Sequence, residues 1–214
     1  SIDESAFSNC SGITGLELPA NGNLKTIGKY AFMGTGISGT LTIPKNVTSI
    51  GMEAFYDLTG LTKLVLPESG SLKTIGDSAF ERTGISGTLT IPASIKTIGM
   101  VAFGSCSKIT VLVLPSSGSL SIDKSAFSDT GISGTLTIPA GVASIGERAF
   151  FKCGDITALV LPDSGSLSIG EMAFRLTGIK GTLTIPAGVT SIGEYAFSDT
   201  GISGTLTVSS SVKS

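Results

Sequence analysis

Ile50-Gly51-Met52-Glu53-Ala54-Phe55 contains the pattern that indicates how this chain folds. Its pattern, Ile-Gly-x-x-Ala-Phe, occurs nine times with small variations, and successive copies lie 23 to 25 residues apart. A fixed period in this range is typical of solenoids, in which each repeat buries its apolar side only against neighbouring repeats. The copies are marked by Phe7, Phe32, Phe55, Phe80, Phe103, Phe127, Phe150, Phe174 and Phe197.

Each repeat also contains a short segment in which apolar and outward residues alternate. It reads Thr-Leu-Thr-Ile in the first repeat type, as in residues 40–43, and x-Leu-Val-Leu in the second type, as in residues 63–66. Alternation predicts a strand, and the proline that follows ends it because proline has no N–H for a ladder. The two types alternate from Phe7 to Phe174, and the copy at Phe197 repeats the first type.

These patterns predict an α/β solenoid of nine turns. Each turn is expected to contribute one short parallel strand, with a short helical or 3-10 turn around Ala-Phe on the opposite side. Both ends of the chain fall at the same point of the period, and no polar cap is evident beyond the serines at 209–211. We therefore expect residues 1–214 to form a single array that is an excerpt of a longer one.

The composition argues against several classes of function. Only 14% of the 214 residues are charged, the net charge is −2, and the basic residues are scattered, so the basic surface of a nucleic-acid-binding protein is missing. No apolar run approaches the roughly 18 residues of a membrane-spanning helix. The chain contains no histidine, which rules out Ser-His and Cys-His nucleophiles and His-containing metal sites. We expect no enzyme activity, no cofactor and no metal ion.

Three motifs are interpreted as consequences of the repeat. Residues 34–39 spell GxGxxG, but a dinucleotide site needs a strand before this motif and a long helix after it. The Asp-Thr-Gly triplets at 129–131 and 199–201 lie three turns apart, too far for two carboxylates to share a proton. The two cysteines that lie nearest to each other are two turns apart, about 10 Å, which is beyond the reach of a disulfide bond. We therefore expect free thiols in the core. The three cysteines, which share one repeat position, are Cys10, Cys106 and Cys153.

The pattern Ile-Gly-x-x-Ala-Phe-x-x-Cys followed by Leu-x-Leu-Pro resembles the BspA-like leucine-rich repeats, also called the Treponema pallidum type. The resemblance covers the whole chain. It implies a right-handed coil whose strands form the concave sheet. It also implies an extracellular or cell-surface module that acts in adhesion by contacting a host protein or another cell-surface protein.

The outward strand positions form two columns rich in threonine and valine. We predict that this face contacts a protein partner, because contiguous exposed apolar residues usually mark contacts. The candidate residues are Thr40, Thr42, Val65, Thr88, Thr90, Val111, Val113, Thr135, Thr137, Val160, Thr182, Thr184, Thr205 and Thr207.

The same two columns and the uncapped ends leave three alternatives open. Threonine and valine favour strands whatever the function. The Thr-x-Thr array is similar to the ice-binding faces of β-solenoid antifreeze proteins. Self-association end to end is a further alternative. The first repeat is of the second type and the last repeat is of the first type, so stacking the first repeat of one copy on the last repeat of another restores the alternation. Such head-to-tail contacts do not form a closed ring.

Overall fold

A computed structural model describes residues 1–213 and shows a parallel β-solenoid. One continuous sheet runs along its length, and the isoleucines before the repeated glycine stack in register, Ile27 beside Ile50 and Ile50 beside Ile75. Its eight strands are β1 Thr26–Ile27, β3 Ser49–Ile50, β5 Thr74–Ile75, β7 Thr97–Ile98, β9 Leu120–Ile122, β11 Val142–Ile145, β13 Leu167–Ile169 and β16 Val189–Ile192.

The glycine after each isoleucine allows successive coils to approach closely. A Cβ on Gly51 would lie 2.7 Å from the carbonyl carbon of Gly28, and one on Gly76 would lie 2.7 Å from that of Gly51. Side chains do not tolerate backbone this near, so glycine is favoured at this step. Asp123 takes the place of this glycine in one coil, and its amide still donates to the Ile98 carbonyl at 2.9 Å.

A second set of strands carries the predicted Leu-x-Leu segments, so most turns contain two strands and not the single strand predicted. Its members are β2 Gly39–Thr42, β4 Leu61–Val65, β6 Gly87–Thr90, β8 Ile109–Val113, β10 Gly134–Thr137, β12 Ile156–Val160, β14 Lys180–Gly181, β15 Thr184–Ile185, β17 Gly201–Ile202 and β18 Thr207–Val208. These strands pair only in twos: β2 with β4, β6 with β8, β10 with β12, β14 with β17, and β15 with β18.

A glycine in the first repeat type explains why these strands pair in twos. Gly87 begins β6 with a φ of +72°, and the register with β8 shifts directly after it. Positive φ is open to glycine, and a bulge of this kind turns a strand. The Ser86 amide still bonds the Thr62 carbonyl of the preceding coil at 3.0 Å, but β6 then forms its ladder only with β8.

The segment around Ala-Phe is a series of overlapping turns, and the prediction of an α/β fold with helical or 3-10 turns is wrong for residues 1–213. The Ala54 amide donates to the Gly51 carbonyl of its own coil at 3.4 Å, whereas the Phe55 amide donates to the Ala79 carbonyl of the next coil at 2.9 Å. A helix would satisfy every such amide internally. Here alternate amides hold the next coil, and that requirement excludes a helix.

Two positions of each of these turns have a left-handed backbone conformation. The residues two before and two after each phenylalanine have positive φ, as Glu53 at 51° and Asp57 at 59° show for Phe55. Seventeen of them are not glycine. Positive φ interrupts a right-handed helix for L-residues, so these two positions are incompatible with a helix in every copy.

The count of nine turns is not supported by the sheet, which contains eight strands. The first copy contributes only an isolated bridge between Ile2 and Ile27.

The phenylalanines form one continuous column through the core. Successive rings are stacked nearly parallel, with centroids 5.2 to 5.5 Å apart from Phe7 to Phe197. The seven rings between these two are at most 1% exposed. The inward strand positions are buried as predicted, among them Leu41, Ile43, Leu64 and Leu66.

Candidate functional site

The strand face predicted from the sequence is exposed along its whole length. All fourteen candidate threonines and valines have exposed side chains. The valines Val65, Val111, Val113 and Val160 are between 36% and 49% exposed, which is high for apolar residues of a solenoid whose inward positions are almost completely buried.

The strand ladders place threonines of one coil beside valines of the next. Thr90 lies opposite Val113, and Thr88 lies opposite Val111. The pairs Thr42–Val65 and Thr137–Val160 repeat this arrangement in the neighbouring coil pairs. Threonine and valine have nearly the same shape, so each coil pair presents a small β-branched platform. Lys63, opposite Thr40, places one charge at the edge of this face.

Grooves lie on both sides of the β2–β4 pair on this face, and they were not predicted from the sequence. One groove of about 190 Å³ lies between β4 and β6, with Leu64, Val65 and Leu66 on one side and Thr88 and Thr90 on the other. A second groove, of about 240 Å³, lies between Leu18 of the first coil and Thr42 of the next. The signal in the sequence was the glycine of Ser-Gly-Thr, which is present only in the first repeat type.

Charged residues pair away from the strand face, on the turns around the phenylalanines. Arg82 bonds Asp57 at 3.1 Å, Lys124 bonds Glu147 at 2.8 Å, and Arg175 bonds Asp199 at 2.7 Å. The hydrogen bond that Arg82 donates to Asp57 raises the pKa of Arg82. The hydrogen bonds from Lys124 and Arg175 lower the pKa of Glu147 and of Asp199. These pairs are exposed and contribute little to stability, but they join successive coils.

Two of the three cysteines lie in the core as predicted. The Cys106 thiol donates to the Phe80 carbonyl at 3.1 Å and contacts the Thr83 hydroxyl at 3.2 Å, and Cys153 does the same with Phe127 and Thr130. Burial raises the pKa of Cys106, and it raises the pKa of Cys153 to about 11. All three thiols are free.

Cys10 is exposed, so its expected place in the core is wrong. Within residues 1–213 no coil lies on its outer side to supply the threonine and carbonyl that cover Cys106.

The GxGxxG stretch has the conformation of the repeat turns and not that of a nucleotide-binding loop. Gly34 has a φ of +69° two residues after Phe32, and Gly39 has a φ of +77° at the bulge that begins β2. Asp129 and Asp199 occupy the same turn position as Gly34, also with positive φ. Among residues 1–213 no three Cys, Asp or Glu side chains are grouped in a way that could hold a metal ion.

Comparison with protein families gives a match along the whole chain. The model of the BspA type leucine-rich repeat region matches in overlapping segments at residues 1–110, 25–157 and 96–214. The chain belongs to the BspA-type leucine-rich repeat family. No curated protein sequence matches it.

Solved structures of three bacterial proteins share this fold. A leucine-rich cell-surface protein from Faecalibacterium prausnitzii A2-165 is 31% identical, with a TM-score of 0.67 over 87% of this chain and 50% of its own. A leucine-rich repeat protein from Bacteroides ovatus is 22% identical, with a TM-score of 0.65 over 97% of this chain and 65% of its own. The pneumococcal vaccine antigen PcpA is 18% identical, with a TM-score of 0.55 over 94% of this chain and 65% of its own.

The chain therefore spans between half and two thirds of the length of these relatives. Within residues 1–213 it has no helix of the length and hydropathy needed to cross a membrane.

Proposed function

We propose that this chain is a non-enzymatic module that binds a protein partner through its strand face and acts in adhesion, at the cell surface or outside the cell. Its membership of the BspA-type family supports a binding role, and the F. prausnitzii relative is described as a cell-surface protein. Fold alone does not define function, so the proposal depends on the surface itself.

The observation that carries the proposal is the contiguous, almost uncharged face of exposed threonine and valine. Val111 and Val113 lie side by side on β8, flanked across the ladder by Thr88 and Thr90. Burying the exposed part of one such valine under a partner contributes about 1 kcal/mol. Val111 and Val113 share one two-stranded sheet, and Val65 and Val160 lie on the equivalent sheets beside it. These side chains supply a binding surface with little loss of side-chain entropy, since β-branched side chains are already restricted.

Substitution of Val113 tests the surface. Val113→Lys places an ammonium in the middle of the face, and its desolvation under a partner should raise Kd tenfold or more. Met100→Lys is the matched control, because Met100 and Val113 are both 44% exposed while Met100 lies on the phenylalanine turns. Both variants add the same charge to the same protein.

The measurement is surface plasmon resonance against a panel of immobilised extracellular and cell-surface proteins. The proposal predicts that at least one of them binds, that Val113→Lys weakens that binding, and that Met100→Lys leaves it unchanged. Binding that tolerates Val113→Lys and Thr90→Lys but is lost in Met100→Lys would move the contact to the turns and overturn the proposed site.

The ice-binding alternative requires a regular, flat threonine array. The threonine pairs of β2, β6 and β10 occur on alternate coils, and grooves flank the β2–β4 pair. We therefore expect no thermal hysteresis from the purified chain. Hysteresis in the parent that disappears in a Thr90→Lys, Thr137→Lys double variant would replace adhesion by ice binding as the function.

A further inference from the structure

The outer surface of the eight-stranded sheet is a second face of the solenoid, separate from the strand face. In every strand of this sheet an isoleucine packs in the core, and the residue before it is a serine or a threonine. In the ladders Thr26 lies beside Ser49, and Ser49 lies beside Thr74. Thr97 lies beside Thr74 in the next coil. Hydroxyl groups therefore recur once per coil, about 4.8 Å apart.

A row of lysines runs beside these hydroxyl groups. The segment Lys-Thr-Ile-Gly occurs at residues 25–28, 73–76 and 96–99. The Thr48 amide bonds the Lys25 carbonyl at 2.7 Å, and the Lys73 amide bonds the Thr48 carbonyl at 2.8 Å. The Lys96 amide bonds the Lys73 carbonyl, also at 2.8 Å. These bonds place Lys25, Thr48, Lys73 and Lys96 in one row, one residue from each of four consecutive coils, and all three lysines are exposed.

The positive charge of this row is not compensated. Among residues 1–213, Lys25, Lys73 and Lys96 form no ion pair, and the ion pairs that do form lie on the phenylalanine turns. Two acidic residues near the row in sequence are directed elsewhere. Asp77 lies beyond the end of β5 and accepts the Met100 amide at 2.8 Å, and Glu68 lines the groove on the strand face.

The lysine row does not stabilise the fold. Like charges that lie opposite each other in neighbouring strands destabilise a sheet, and Lys73 and Lys96 are in adjacent coils. Thr48 occupies the same row position, so the backbone does not require lysine there. A ligand that carries negative charge accounts for lysines at these positions, because it relieves their repulsion when it binds.

We propose that this surface binds an acidic polysaccharide that lies along the solenoid axis. We name it the lysine face and define it by Lys25, Lys73 and Lys96 together with the hydroxyl residues Thr26, Ser49, Thr74 and Thr97. The lysine ammonium groups pair with carboxylate or sulfate groups of the polymer, and the hydroxyl groups bond the hydroxyls of its sugars. This interaction is independent of the strand face and of the protein partner proposed for it.

The residue types of the lysine face favour a polysaccharide over a nucleic acid. Single-stranded nucleic acids bind where aromatic side chains stack on the bases, and phosphate is recognised best by the planar fork of arginine. The lysine face contains only lysine, serine and threonine, and glycines such as Gly76 and Gly99 leave a flat strip beside it. Serine and threonine hydroxyls both donate and accept hydrogen bonds, so a regular row of them suits a regular polymer that carries hydroxyl groups.

Biolayer interferometry of the full chain on immobilised polygalacturonate, heparin and neutral dextran tests the proposal. We expect binding to polygalacturonate and to heparin that weakens as salt rises, and no binding to dextran. One lysine near an anionic surface changes affinity about fivefold, so a Lys73→Gln, Lys96→Gln variant should raise Kd about 25-fold. Lys108→Gln, Lys152→Gln is the matched control, because it removes the same charge from exposed positions elsewhere and should leave Kd within about twofold.

Two further variants test the rows separately. Thr48→Lys fills the position of the row that lacks a lysine and should lower Kd about fivefold. Thr74→Val, Thr97→Val keeps the shape and the charge of the face but removes two hydroxyl groups, so it should raise Kd severalfold without changing the salt dependence. An unchanged Kd in this second variant would refute the role of the hydroxyl row and the choice of a polysaccharide.

Three other results would overturn the proposal. Equal weakening by the two double-lysine variants would show that net charge, and not this face, drives binding. Tighter binding of single-stranded or duplex DNA than of either acidic polysaccharide in the same buffer would replace the polysaccharide by a nucleic acid. The third result is the absence of binding to both acidic polysaccharides at low salt, by the parent and by Thr48→Lys alike.

Discussion

Replacement of Phe103 by alanine tests whether the stacked phenylalanine column holds the solenoid together. Phe103 is completely buried, and its ring lies 5.4 Å from both the Phe80 and the Phe127 rings. Truncation of a buried phenylalanine costs about 3–5 kcal/mol, and each stacked ring pair contributes about 0.5–1.5 kcal/mol beyond burial. We expect Phe103→Ala to lower the free energy of unfolding by about 4–5 kcal/mol, in the upper part of that range.

Phe7 provides the matched control inside the same chain. It is 40% exposed and stacks on one ring only, that of Phe32 at 5.4 Å. The same truncation, Phe7→Ala, therefore removes about half of the burial and one ring contact, and should cost about 2 kcal/mol. Both variants lose the same side chain, so the ratio of the two losses in unfolding free energy depends on where each phenylalanine lies in the stack.

Urea denaturation followed by far-ultraviolet circular dichroism supplies both values. Since the stability of a whole domain is only about 5–15 kcal/mol, Phe103→Leu serves as a milder variant if Phe103→Ala is largely unfolded. A smaller m value in Phe103→Ala would show that the array has separated into two unfolding units, which is expected when only neighbouring coils contact each other. Equal losses at Phe7 and Phe103 would refute the idea that continuous stacking stabilises the coil.

Three further predictions concern single positions. Val101 is a β-branched residue held at a φ of 57°, so Val101→Asn should raise the free energy of unfolding by about 1 kcal/mol; an unchanged or lower melting temperature would contradict this. Gly87→Ala should lower the free energy of unfolding by about 1–2 kcal/mol because of the φ of +72°, since no atom lies within 4 Å of the added Cβ. Gly154→Ala has equal space and no positive φ, so its melting temperature should be close to that of the parent in the same thermal melt. Unfolded thiols ionise near about pH 8.5. Burial raises the pKa of Cys106, and it raises that of Cys153 to about 11, so stability should fall as pH rises through this window. The shift at Cys153 alone corresponds to roughly 3 kcal/mol, Cys106 adds to the loss, and a Cys106→Ala, Cys153→Ala variant measured in the same buffers should lack that slope.

The sequence predicted the parts of the structure that depend on a local pattern repeated many times. The recurrent phenylalanine, the alternating inward leucines and isoleucines and the proline after each strand indicated a solenoid with a columnar core, and the family match agrees. Leu41 and Ile43 are buried as expected, and Thr40 and Thr42 are exposed. A period of two assigns the faces of a strand from the sequence alone, because successive side chains point to opposite sides.

The helical turns were predicted wrongly because a backbone amide can donate its hydrogen bond within its own turn or to the next coil, and the local sequence does not distinguish the two. The segment from Gly51 to Phe55 has the length of one helical turn, and its local contacts could all have been internal. In the structure the Phe55 amide bonds Ala79 in the next coil, and this choice depends on a neighbour 24 residues away. Local pattern carries no information about such a partner.

The repeat, its core and the residues that face outward could therefore be read from the local pattern. How the coils join could not: the structure has an eight-stranded sheet at the isoleucines, paired strands at the leucines, and grooves beside the β2–β4 pair. The positive φ of Gly87 turns β6 toward the following coil, and the effect of one dihedral angle on a neighbouring ladder exists only after the coils have stacked.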